Sequence, residues 1–275
     1  MSLALAQVPP GPPKVGEQPA IQKTPRPRKD QGVGVTVLTF PPAMRAPNVN
    51  GREQPTGIQP KEWPWTSIGR VNIETAHCTG ALIEADLVLT ARHCIDNPRT
   101  GRIARPRQVF FLSGYALGDF VERAAVDHFE LPPSTGDGTD TAPGADWVLL
   151  RLTKPTALQP IPLALLTPET ILAHAQAGTR FFRVGYPRER PHMLRLQPGC
   201  QIGGMSADAR AVMFDCNVMP GESGGPIMMQ CEGHWRIVAM TAFHLDLDRE
   251  IMSFGVIPTI ADVGLTSTPA VCPAA

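Results

Sequence analysis

The stretch Met219-Pro220-Gly221-Glu222-Ser223-Gly224-Gly225-Pro226 constrains this chain more than any other. Glycines on both sides of Ser223 free the backbone to turn sharply, and such a turn exposes its amide hydrogens. A serine held this way becomes a nucleophile only with a base beside it. The amides of Gly221 and Ser223 would then face the oxygen that turns negative. The sequence offers a base in Thr90-Ala91-Arg92-His93-Cys94 and an orienting carboxylate in Asp146-Trp147-Val148-Leu149-Leu150.

Other readings of these residues compete less well. Gly-x-Ser-x-Gly also marks the nucleophile elbow of α/β-hydrolases, which requires the chain order serine, acid, histidine. After Ser223 only His234 and His244 remain, and Glu232 lies too close ahead of them for separate strands to present both. The flanks of Ser223 are also β-like instead of strand-then-helix. His77, His128, His174, His192, His234 and His244 have no context like that of His93. Asp137 and Asp140 sit in a Gly/Thr-rich loop and read as turn residues.

In the order His93, Asp146, Ser223, the three segments resemble the chymotrypsin/trypsin-like serine endopeptidase family, in its bacterial trypsin-like and glutamyl-endopeptidase-like branch. The resemblance runs from about residue 48 to about 265 and implies an all-β fold of two six-stranded antiparallel β-barrels with the active site between them. It implies Ser223 as nucleophile, His93 as general base, Asp146 as orienting acid, and an oxyanion hole from Gly221 and Ser223. Asn217 falls at the base of the specificity pocket, where an acid would select Lys or Arg. Val218 and Thr241 fall where glutamyl endopeptidases carry their glutamate-binding Thr and His, so neither strict preference is expected. Thr241-Ala242-Phe243 matches the strand that pairs with substrate backbone, and His244 lies near the pocket wall.

Activation in the family uses a new N-terminal ammonium that pairs with the acid before the nucleophile. Here that acid is Glu222, and the segment Asn48-Val49-Asn50-Gly51 lies where the mature chain would begin. Asn48 precedes Val49, so a tryptic self-cut is not supported. A zymogen held off by its leader is the expected variant. The alternative function is a catalytically silent homologue that acts as a binding or scaffold protein.

The chain has 275 residues, enough for a sizeable core in one or two domains. Its 25 Lys and Arg balance 25 Asp and Glu, which gives no electrostatic case for nucleic acid or an anionic membrane as partner. No run of apolar residues is long enough for a transmembrane helix. With 30 prolines and 25 glycines the chain suits a loop-rich β protein. Residues 1–47 form a Pro-rich leader, a signal remnant or pro-segment, with Ala4-Leu5-Ala6 as a small-x-small tripeptide. Residues 48–275 form the peptidase domain. Its first barrel spans about 62–152, its second about 163–262, and a tail follows.

Strand-like runs occupy 67–71, 78–83, 86–90, 109–112, 121–126, 146–152, 181–186, 193–196, 211–214, 226–230, 235–241 and 251–256, with a helix at 169–177. The six cysteines, Cys78, Cys94, Cys200, Cys216, Cys231 and Cys272, allow fifteen pairings, and spacing does not choose among them. The resemblance supplies Cys78–Cys94, which would pin the loop of His93. Cys200–Cys216 would brace the approach to the nucleophile, which leaves Cys231–Cys272 for the tail. Reduced, buried cysteines are the alternative. The absence of CxxC speaks against zinc, and the expected chemistry needs no metal or organic cofactor. The expected protein is secreted or periplasmic, a monomer, with polypeptide substrates.

Overall fold

The computed structural model describes residues 54–97, 102–132, 143–164, 166–205, 210–247, 250–256 and 272. The leader, residues 1–47, lies outside the described residues.

The first half holds β1 (Thr56–Ile58), β2 (Ile68–Ile73), β3 (Ala76–Glu84), β4 (Leu87–Thr90), β5 (Asp96–Asn97), β6 (Arg102–Ile103), β7 (Val109–Ser113), β8 (Glu122–Glu130) and β9 (Val148–Leu152). Then come α1 (Pro168–Gln176), β10 (Phe181–Gly185), β11 (Leu194–Cys200), β12 (Ile202–Met205), β13 (Ala211–Phe214), β14 (Pro226–Cys231), β15 (His234–Leu247) and β16 (Glu250–Val256). The helix starts at an N-cap threonine, Thr167, whose hydroxyl accepts from the Thr170 amide.

Strands β2, β3, β4, β9, β8 and β7 close, in that order, into an antiparallel barrel. Alternation explains why several of these strands are apolar on both faces. Leu82, Val88, Val148 and Leu150 fill the barrel interior with Val71 and Phe111. Their neighbours Ala81, Ile83, Leu87, Leu89, Trp147 and Leu149 point the other way, into a second core. That core is shared with Val184, Tyr186, Met228, Ile237 and Met240 of the second half. The two halves are therefore joined through a continuous apolar layer.

In the second half the expected strands pair as part of a larger sheet. It is an eight-stranded sheet in the order β1-β11-β10-β14-β15-β16-β13-β12. Two local causes account for this. The short β1 adds to β11 by backbone pairing, Gly57 opposite Arg195. The expected strand near 193–196 is also longer than predicted. Gly199, at φ +71°, is a bulge within β11 against β10, and the run is interrupted at Gln201, which separates β11 from β12. The sheet packs over Phe181, Val212, Phe214, Ile227 and Val238, with Ile171 of α1 in the same core.

Three disulfides form, Cys78–Cys94, Cys200–Cys216 and Cys231–Cys272. Three such bridges in one chain mark an oxidising compartment. Among the described residues no helix is long and apolar enough to cross a membrane.

Candidate active site

The register of β4 with β9 makes the first contact of the site. Thr90 lies opposite Val148 in an antiparallel ladder. Carried two residues further, that ladder brings Asp146 beside Arg92 and His93. A short 3-10 turn, Arg92–Cys94, lifts His93 off the strand end, and the buried Ala91 and Ile95 anchor the turn on both sides. Asp146 lies just ahead of β9, not within it as the sequence suggested.

Both oxygens of Asp146 are engaged by one residue. Oδ1 accepts the His93 backbone N–H at 2.9 Å, and Oδ2 lies 2.7 Å from His93 Nδ1. The imidazole is thereby held with its proton on Nδ1 and its Nε2 lone pair free. The His93 side chain is 45% exposed and the Asp146 side chain 18%, so the pair stands at the surface with its acid end covered. Burial alone lowers the His93 pKa. The Asp146 hydrogen bond and charge, with help from Asp96, outweigh burial and raise it above the ordinary 6.5.

Ser223 arrives from the other half, and Thr79 ties it to the first. The Thr79 N–H donates to the Ser223 carbonyl at 2.8 Å. The Thr79 hydroxyl donates to the Gly221 carbonyl at 3.0 Å and accepts the Tyr186 N–H at 2.9 Å. Thr90 Oγ1 closes the arrangement by donating to the Thr79 carbonyl at 2.7 Å. A single buried threonine thus fixes the Ser223 loop against the strand that delivers His93. The Ser223 hydroxyl itself makes no hydrogen bond to His93 in this conformation. Such contacts often tighten only when substrate is bound.

The amides of the loop divide into two sets. Glu222 N–H donates to Met219 O, Gly224 N–H to Thr241 O, and Gly225 N–H to Glu222 O, while Met219 N–H donates to Glu222 Oε2. Among the described residues the amides of Gly221 and Ser223 donate to nothing. These are the two expected to face an oxyanion.

Gly221 (φ +95°) and Gly224 (φ +79°) take left-handed conformations that a side chain disfavours. A Cβ on Gly224 would collide with Thr90 Oγ1, the Thr79 carbonyl and the Ala91 amide. Gly224→Ala is therefore expected to fold with a displaced loop and to slow reagent attack at Ser223 by about tenfold or more, since backbone strain costs about 1–3 kcal/mol. Time-resolved labelling of Ser223 measures this.

Beneath the loop lies a pair that sequence reading missed. Arg183 Nη1 is 2.6 Å from Glu222 Oε2, and both side chains are fully buried. Arg183 Nη2 also donates to Gln197 Oε1 at 3.1 Å. The signal was present in the sequence. Arg183 interrupts the apolar run Phe181-Phe182-Arg183-Val184 of a strand, and a charge at such a position requires a buried partner.

The expected pocket residues differ in exposure. Asn217 is exposed, Val218 and Ala242 are buried, and Thr241 is buried with no partner for its hydroxyl among the described residues. Thr241 N–H donates to Gly225 O at 2.8 Å, which joins β15 to the Ser223 loop. Phe243 enters through the backbone of β15, opposite Phe254. The side chains of Phe243 and His244 lie outside the described residues. Cys78, His93 and Cys94 bring potential metal-ligand atoms within 4.8 Å of one another. The two sulfurs are joined in a disulfide, so they supply no thiolates and the group is no metal site.

The sequence matches the trypsin-like peptidase domain over residues 78–240. The chain belongs to the trypsin-like peptidase family. Known folds agree with this assignment. A Glu endopeptidase solved in complex with MPD superposes with a TM-score of 0.59 at 18% identity, covering 78% of this chain and 95% of its own. Protease Anisep from Arthrobacter nicotinovorans superposes with a TM-score of 0.53 at 16% identity, covering 74% of this chain and 93% of its own. At such identities the likeness is one of fold. The matched span of the peptidase domain holds His93, Asp146 and Ser223, and it implies polypeptide substrates.

Proposed function

We propose that this trypsin-like domain is a serine endopeptidase. Ser223 Oγ attacks the peptide carbonyl while His93 Nε2 takes its proton. The new C–O bond makes a tetrahedral oxyanion, held by the Gly221 and Ser223 amides. His93 then passes the proton to the departing amine as the C–N bond breaks, and water, deprotonated by the same imidazole, releases the acyl group. The observation that carries this reading is the pair of amides at Gly221 and Ser223 left unused among the described residues, in a loop whose other amides are all engaged. Donors of this kind stabilise the transition state by roughly 3 kcal/mol each.

The neighbouring features fit the same reading. Substrate backbone would add to Thr241, Ala242 and Phe243 as an extra strand. Asn217 and Thr241, the polar residues expected at the pocket among the described residues, carry no formal charge, so strict cleavage after Lys, Arg or Glu is not proposed. Gln201 alone separates β11 from β12, which end the ladder order apart from β1. Counted as one bent strand, they give the second sheet six strands apart from β1, which supports the second barrel expected of the fold. The domain then spans residues 48–275 behind the leader, acts as a monomer without cofactor, and works in a secreted or periplasmic setting. Arg183 already supplies Glu222 with a cation, so we infer that the loop is set without a liberated N-terminal ammonium.

A fluorophosphonate probe, read by intact mass and peptide mapping, tests the function. Stoichiometric adduct on Ser223 of the full-length chain, absent in Ser223→Ala, is the expected result. Labelling only after trimming near Val49 would restore the zymogen. A folded protein that labels in neither form would be the silent homologue, a reading favoured by the missing Ser223–His93 hydrogen bond.

A further inference from the structure

His77 stands one residue before the Cys78 disulfide, and the serine chemistry does not use it. Its Nε2 lies 3.1 Å from the Tyr186 carbonyl. A Cβ built on Gly221 would come within 2.8 Å of the same nitrogen and 3.0 Å of the Arg188 amide. The imidazole therefore lies against the residue whose amide faces the oxyanion. The Arg188 N–H donates to the Pro220 carbonyl at 2.6 Å, so the segment Tyr186–Arg188 runs alongside Pro220–Gly221.

Positive charge gathers at this place. Arg70 is fixed by hydrogen bonds to Asn72 Oδ1 and the Pro191 carbonyl, both at 3.1 Å, and its guanidinium lies over the Tyr115 ring. Tyr115 in turn meets His192 Nδ1 at 2.6 Å. Arg188 and Arg190 are exposed. Among the described residues none of these three arginines pairs with a carboxylate, and the nearby Glu189 is taken by Arg195 at 3.2 Å. Burial, Arg70, Arg188 and His192 all lower the His77 pKa, with only the Tyr186 carbonyl opposing. No acid acts on it.

The two sides of Ser223 face different things. On its C-terminal side Gly224 and Gly225 bond to Thr241 of β15, where the acyl half of a peptide would lie. On its N-terminal side Gly221 meets His77 and Arg188. If the acyl half pairs with β15 and the reacting carbonyl points at the Gly221 amide, the departing half would leave over that side. Resting on the endopeptidase reading above, we propose that Arg70, His77 and Arg188 form the seat of the leaving half of the substrate and select acidic side chains in its first two residues. His77, neutral at neutral pH, lends a donor or a ring face, and the arginines supply the charge.

Digestion of a proteome-derived peptide library, with the new N-termini read by mass spectrometry, tests this. Exposed ion pairs are weak, so Asp and Glu should be enriched about two- to fivefold in the first two positions. Arg188→Glu, at an exposed position that leaves the core untouched, should remove the enrichment and favour Lys and Arg, and Arg70→Gln should halve it. About 1 M salt should flatten it, because the screening length falls to about 3 Å. Cleavage without acidic enrichment, or enrichment that survives Arg188→Glu, would overturn the proposal. Fluorophosphonate labelling of the same samples separates the two readings. Labelled enzyme without the preference removes only this inference, whereas a native chain that neither labels nor cuts removes both.

Discussion

Asp146→Asn is expected to leave the fold intact and to lower turnover by about ten thousand-fold, the loss seen when a triad acid becomes an amide. The cause lies in how Asp146 is used. One oxygen accepts the His93 backbone N–H and the other faces Nδ1. An asparagine can keep only one of these acceptors as an oxygen. If it serves the backbone, its NH2 group meets Nδ1 and forces the proton onto Nε2, the atom that must receive the serine proton. The change also alters the pH profile. The base works only when neutral, so kcat/KM of the native chain should fall as pH drops through the His93 pKa, which lies above 6.5. Removing Asp146 takes away the main raising influences and leaves burial, so the residual activity should keep its plateau to lower pH. Rates on a peptide pool between about pH 5 and 9 measure both effects. An Asn variant with native turnover would remove Asp146 from the mechanism.

Much of the frame was legible because alternation in a β chain is a local signal. Strands β2, β3, β4 and β7 to β9 each carry apolar runs bounded by turns, and each was located within a few residues. What was not legible was non-local. Thr56–Ile58 is short, contains a glycine, and is a strand only through its backbone pairing with β11. The interruption at Gln201 follows a bulge at Gly199, which shows only in the pairing of β11 with β10. At the site, His93, Asp146 and Ser223 stood out by their neighbours in sequence. Thr79 did not, since nothing in Cys78-Thr79-Gly80 says that its hydroxyl bridges Gly221 and Tyr186. In the family the acid before the nucleophile takes its cation from a new chain end, but Glu222 is one methylene longer than the usual Asp and its sequence context names no partner. Its cation instead sits 39 residues earlier in the sequence, at Arg183, and only the pairing of β10 with β14 brings the two near each other.

Arg183→Met should therefore damage both stability and reactivity. Removing one member of a buried pair costs about 3–5 kcal/mol because the other charge is left without compensation. Here the stranded group is Glu222, whose Oε2 also accepts the Met219 amide at 2.7 Å. A carboxylate that turns toward water would carry the Met219–Ser223 turn with it and disperse the Gly221 and Ser223 amides. The single variant alone cannot separate a lost fold from a lost site. The double variant Arg183→Met, Glu222→Gln can. Its amide oxygen can still accept from Met219, and neither residue is charged, so neutral replacement should return most of the melting temperature. If the ion pair only stabilises the fold, labelling of Ser223 should return with it. If the pair sets the geometry of the loop, the double variant should melt near the native chain and still label at least about tenfold more slowly, since a displacement near 1 Å can cost about a hundredfold. The second outcome is expected. Guanidinium and carboxylate have fixed directions that Met and Gln lack, and the Gln197 contact holds the Arg183 fork in place behind the turn.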